Sequence, residues 1–178
     1  LLGAVRASGL EGLIAKRKGS PYVGGPTPDW IKLKVERRQD FAVVGWTPLT
    51  GHKNVVGALI LAVIDGDGLR FAGKVGSGFD DALRRRLGKE LSSDALDACP
   101  ARDPERIPDA RWVRPRLVVE VAYQDWTESG KPRFPTLIAL RPDKKPSECT
   151  LEPHAFARDD ERDDDEADPR ASLRDAPA

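Results

Sequence analysis

The sequence predicts a mainly β chain with one helix. Three observations carry this. Short runs rich in β-branched and aromatic residues recur at close spacing after residue 40. An Asp-Gly-Asp-Gly turn at 65–68 separates two of them. Only one segment, 79–91, places apolar residues at a clear helical period.

Taken in order, residues 12–16 (GLIAK) and 30–35 (WIKLKV) are short β-prone runs separated by the turn-rich GSPYVGGPTPD. Lys32 and Lys34 alternate with Ile31, Leu33 and Val35, the period-2 pattern of a strand with one polar face. A charged connector follows at 36–40. Strands are then expected at 41–47, 55–65, 69–75, 117–124 and 137–141. The Asp-Gly pairs at 65–68 tolerate positive φ and read as the hairpin turn between the second and third of these. In 79–91, Phe79, Leu83, Leu87 and Leu91 line one helix face, and Asp80 and Asp81 favour its N-terminus. Residues 98–116, rich in Pro and Arg, read as an extended loop. Five strands with one helix between the third and fourth is the element order of an OB-fold barrel. The stretch before residue 40 does not fit inside it and reads as the tail of a different domain.

Composition narrows the class. The 178 residues hold 39% hydrophobic and 33% charged side chains, the mix of a soluble globular protein. No stretch approaches the roughly 20 apolar residues that a membrane helix requires. Cys99 and Cys149 are far apart with no metal-ligand spacing, so neither a disulfide framework nor a zinc site is expected, and a reducing, cytoplasmic setting follows. The absence of methionine points to a piece of a longer chain.

The zero net charge is a cancellation. Residues 152–178 hold ten acidic and four basic side chains, a balance of −6, which leaves +6 on residues 1–151. The run at 159–168 (DDERDDDEAD) holds too little apolar area to offset chain entropy, and residues 150–178 read as an acidic, disordered tail or linker. A sharper reading is an acidic segment that competes with nucleic acid for the basic body.

Three groups bear on chemistry. In Glu11-Gly12-Leu13-Ile14-Ala15-Lys16-Arg17, a carboxylate precedes an apolar strand ending in cations, a pattern able to hold a metal ion beside a phosphate. Lys32 and Lys34 stand on one strand face roughly 7 Å apart, and an anion between them would offset their repulsion. Spacing alone leaves an exposed amphipathic strand equally open. The third is Arg133-Phe134-Pro135 followed by Arg141-Pro142-Asp143-Lys144-Lys145, in which Arg141 and Lys144 flank an acid suited to orient them on a polyphosphate. A solvated strand end is the plain alternative.

Together the three are far more specific. EGLIAKR, then WIKLK about twenty residues later, then RFPTLIALRPDK at the end of a five-stranded domain resembles the ATP-dependent DNA ligases, in which these would be motifs IV, V and VI in order. DFAVVGWTP, FAGKVGSGF and VVEVAYQDWTESGKPRFP resemble the OB domain of bacterial ligases of the ligase D type, and the likeness runs over residues 11–146. The resemblance implies residues 1–40 as the end of an adenylation (nucleotidyltransferase) domain, 41–149 as the OB-fold domain, ATP and a divalent metal (Mg or Mn) as cofactors, and nicked duplex DNA as substrate. It also implies a reaction through lysyl-AMP and DNA-adenylate, and end-joining repair with a Ku-type partner. Glu11 matches a metal-site glutamate, Lys32 and Lys34 match lysines that contact the adenylate phosphate, and Lys16 ends the same strand as Glu11. Arg141, Asp143 and Lys144 match the motif that orients the pyrophosphate leaving group.

One departure is plain. Such ligases carry their nucleophile in KxDG, and none of the ten lysines here is followed by x-Asp-Gly. The chain by itself is therefore expected not to form lysyl-AMP and to need the missing adenylation segment. Lys74, Arg84, Arg85, Arg86, Arg114 and Arg133 are the expected duplex contacts, with a solvated helix face the equal alternative for the Arg triplet. Two other readings are a capping-type guanylyltransferase fragment and a non-catalytic OB module that binds nucleic acid or protein.

Overall fold

A computed structural model describes Val5 and residues 12–151; the expectations placed on Glu11 and on the acidic segment fall outside these residues. Two sheets form. The first is an antiparallel hairpin of β1 (Gly12–Lys16) and β2 (Trp30–Lys34). The second is built on β3 (Arg37–Leu49), β4 (His52–Asp65), β5 (Gly68–Val75), β6 (Ala95–Leu96), β7 (Arg111–Val113), β8 (Val118–Tyr123) and β9 (Thr136–Leu140). Helix α1 (Asp81–Ser92) lies between β5 and β6.

β3 is the spine of the larger sheet. Its first half pairs with β8, from Arg37↔Tyr123 to Ala42↔Val118, and its second half with β4, from Ala42↔Ala62 to Leu49↔His52. β5 extends the β4 side and β9 the β8 side. The two flanks meet at one parallel bridge, Ser77↔Thr136. The fold is thus mainly β, in the strand and helix order of an OB-fold, with the 65–68 turn where the sequence places it.

Two expectations change. The connector at 36–40 is strand from Arg37, because Gln39 is buried there: its amide donates to Thr150 O at 3.1 Å and its Oε1 accepts from Tyr123 Oη at 3.3 Å. The segment 98–116 is not wholly loop, since β7 pairs with both β3 and β6.

The covering loop explains why residues 41–46 are all buried rather than alternating. One face of the sheet carries Phe41, Val43, Leu59, Leu61, Val121 and Tyr123 into the main core. The other buries Val44, Ile60, Ala62 and Phe71 under Ala101, Ile107 and Trp112. Trp46 and Trp126 are core side chains. Both cysteines are free thiols. Asp80 caps α1, accepting from Leu83 N at 2.6 Å, while Leu87 and Leu91 are buried in the main core. Among the described residues no helix is long and apolar enough to cross a membrane.

Candidate functional site

The turn after β9 gathers four charges. Arg141 N donates to Val118 O at 2.8 Å, prolonging the β8–β9 pairing, and Lys144 N donates to Arg141 O at 3.2 Å, closing the turn. Arg141 then grips Asp143 side-on, Nε to Oδ1 at 3.0 Å and Nη2 to Oδ2 at 2.8 Å. Its remaining Nη1 donates to Asp40 Oδ1 at 3.2 Å, and Lys144 Nζ binds the other oxygen of Asp40. Asp40 is the deepest member, its side chain 13% exposed against 28% for Arg141 and 34% for Lys144.

The hydrogen bond to Asp143 holds the Arg141 guanidinium firmly protonated, and the same bond pushes Asp143 down to about 2. Asp40 raises Lys144 in turn. Both cations are therefore fixed in charge and orientation, with open donor surface, which is the donor set a polyphosphate requires.

The hairpin supplies a second group. Its register, Gly12↔Lys34, Ile14↔Lys32 and Lys16↔Trp30, puts Lys16, Lys32 and Lys34 on one face. Lys16 Nζ lies 4.1 Å from the Trp30 ring centroid, a cation–π contact that holds it over the hairpin end. Ile14 and Ile31 are 54% and 59% exposed, so both hairpin faces leave apolar surface uncovered.

A third group surrounds Phe134, which is 69% exposed with φ 51°, a conformation rare for an aromatic residue. Arg133 Cζ and Lys34 Nζ lie 6.0 and 5.8 Å from its ring centroid. Beside it, Lys74, Arg106 and Lys131 line a cavity of about 270 Å³ walled by Phe71, Pro132 and Pro135.

The structure thus brings Arg133, Lys34 and Lys74 to one end of β9 and Arg141, Asp143 and Lys144 to the other. Arg85 and Arg86 are exposed on α1, Arg85 within 3.8 Å of Asp81. Arg114 follows β7, its N–H bonded to Asp94 O at 2.8 Å. Arg84 faces inward onto backbone carbonyls. Sequence reasoning missed Asp40, and it quoted Phe134 within Arg133-Phe134-Pro135 without assigning it a role. Asp40 meets its partners more than 100 residues away, beyond any local spacing. Phe134 carried a signal, an aromatic between Arg and Pro just ahead of the strand expected at 137–141.

Residues 52–144 match the family described as the ATP dependent DNA ligase C terminal region. The chain is 40% identical over 161 residues to the multifunctional non-homologous end joining protein LigD of Pseudomonas aeruginosa, covering 85% of this chain and 19% of that one. It is 38% identical over 152 residues to the LigD of Mycobacterium tuberculosis, covering 83% and 20%. The chain therefore spans about a fifth of the length of these relatives. The crystal structure of the ligase domain of M. tuberculosis LigD superposes with a TM-score of 0.63 at 36% identity, covering 85% of this chain and 50% of that one. A mycobacterial DNA ligase D complexed with ATP and MES does so with a TM-score of 0.59 at 35% identity and the same coverage. With the motif order and the charge cluster after β9, these likenesses make the chain a member of the ATP-dependent DNA ligases, whose C-terminal region it carries.

Proposed function

We propose that this chain is the part of a nick-sealing, ATP-dependent DNA ligase that grips duplex DNA and orients the phosphates of ATP. The observation that carries the reading is the Arg141–Asp40–Lys144 arrangement, two cations pinned by one half-buried carboxylate at the end of β9. Nucleotidyl transfer develops charge on phosphate oxygens, and donors oriented beforehand stabilise that charge without reorganising. Arg141 and Lys144 take the leaving pyrophosphate, with Asp143 holding the guanidinium plane. Lys16, Lys32 and Lys34 take the adenylate phosphate.

Glu11 would hold a Mg or Mn ion. That ion, when bound, supplies further charge neutralisation at the phosphates. The nucleophilic lysine would be supplied by an adenylation segment carrying KxDG. DNA meets the Phe134 end of β9, where Arg133 and Lys74 contact phosphates and the exposed ring meets the duplex without reading sequence. The LigD relatives are named for non-homologous end joining, which supports a role for this chain in that process; a Ku-type partner and a bacterial, cytoplasmic setting are part of the same proposal.

The test is reconstitution. The chain is joined to a ligase adenylation segment carrying KxDG and given ATP, Mg and a nicked duplex. Sealing should appear and fall about 100-fold or more in Arg141→Ala, while the chain alone neither seals nor becomes adenylated. Sealing that survives Arg141→Ala unchanged would remove the assigned role.

A further inference from the structure

Arg84 differs in kind from Arg85 and Arg86. Its Nη1 donates to Val56 O at 2.8 Å and Gly57 O at 2.7 Å, and its Nη2 to Gly76 O at 2.8 Å. Its Cζ lies 4.6 Å from the Phe79 ring centroid. A guanidinium presents its donors in a fixed planar fork, so three carbonyls and one aromatic face define its orientation. Val56 and Gly57 belong to β4 and Gly76 follows β5, so this one side chain ties α1 to two strands.

The contacts continue past Gly76. Ser77 O accepts from Leu137 N at 3.0 Å, and Ser77 Oγ donates to Pro135 O at 2.7 Å and lies 3.3 Å from Thr136 Oγ1. Gly78, at φ 85°, packs so closely on β9 that an added Cβ would sit 2.2 Å from Leu137 O. Pro135 is the residue after Phe134, whose φ of 51° persists only if its surroundings hold it. The anchored carbonyl of Pro135 is the fixed point beside it.

We propose that Arg84 is a positioning residue: acting through Gly76 and Ser77, it fixes the base of the Arg133–Phe134 loop and so sets how that loop meets duplex DNA. The inference rests on the reading above that this loop contacts the duplex. It removes Arg84 from the phosphate contacts and leaves Arg85 and Arg86 among them.

The experiment is fluorescence anisotropy of the full chain on nicked duplex over a range of salt, with Arg84→Lys, Arg84→Gln, Ser77→Ala, Phe134→Ala, Arg85→Ala and their pairs. Arg84→Lys keeps the charge and loses the fork. It should weaken binding about fivefold alone and add nothing further in a Phe134→Ala background, because contacts in one chain of support are not additive. Ser77→Ala, a small change at an exposed hydroxyl, should show the same non-additivity. Arg85→Ala should add independently to each. Arg84→Gln should leave the slope of log K against log salt unchanged, whereas loss of a direct phosphate contact would make it shallower by about 0.9.

Arg84→Lys binding like the unaltered chain, that shallower slope, or Ser77→Ala adding fully to Phe134→Ala would each overturn the inference. Ser77→Ala serves as the decisive variant if Arg84→Lys lowers the thermal midpoint strongly. If Phe134→Ala itself binds normally, the duplex-contact reading of the loop fails, and the inference fails with it for that distinct reason.

Discussion

Asp40 Oδ1 accepts from Arg141 Nη1 at 3.2 Å, a contact that joins the first half of β3 to the turn after β9 across 101 residues of chain. The same carboxylate binds Lys144, so one side chain orients both cations of the turn. Asp143, which the local spacing offers as the orienting acid, is the outer and more exposed partner, its side chain 59% exposed.

Asp40→Asn should therefore cost more than Asp143→Asn. The neutral amide keeps an acceptor for one cation but turns its NH2 donors toward the other, and both cations stay charged. The expected fall in thermal midpoint for Asp40→Asn is about 2–4 °C, with a smaller one for Asp143→Asn. Thermal unfolding at neutral pH measures both, and the reverse ranking would show that the outer carboxylate carries the cluster.

The cluster also sets an acid window. Asp143 is held down to about 2 by its hydrogen bond to Arg141, against about 3.9 for a carboxyl in an unfolded chain. A carboxyl with a lowered folded value stabilises the fold above its unfolded value and loses that contribution as pH falls through the folded one. The Arg141–Asp143 contribution should thus stay flat from pH 7 to about 4 and decline between about 4 and 2. A carboxyl carbon titration of Asp143 by NMR should give a midpoint near 2. A midpoint near 4 would mean that the pair does not form in solution.

Gly88 tests packing against propensity. On a helix scale, Gly88→Ala in the interior of α1 should stabilise by about 1 kcal/mol. In the fold, an added Cβ would lie 2.1 Å from Asn54 O of β4, so α1 would have to move off the sheet that buries Leu87 and Leu91. The expected outcome is a net loss of about 1–3 kcal/mol by urea unfolding. A more stable variant would mean that the helix does not cross β4 at this residue.

Much of the fold was legible because strand and helix periods are local. Ile31 and Leu33 alternating with Lys32 and Lys34 announced β2, and Phe79, Leu83, Leu87 and Leu91 announced α1 one turn at a time. The 36–40 stretch was misread because charge counted over five residues cannot show that Gln39 is buried by Tyr123 and Thr150. The loop at 98–116 hid β7 for the same reason: three residues hold no period, and pairing with β3 and β6 makes the strand.

By itself the sequence determined the order of the longer strands and the helix, the three charged motifs and their spacing, and the absence of KxDG, since each is written in neighbouring residues. Only the tertiary structure decided which cations face outward. Arg84, Arg85 and Arg86 are chemically equal in the sequence, yet Arg84 is turned in by carbonyls of Val56, Gly57 and Gly76, while Arg85 and Arg86 are left exposed. The reason is physical: a side chain's partners are set by which strands the sheet brings beside it, and that pairing is a property of the whole chain.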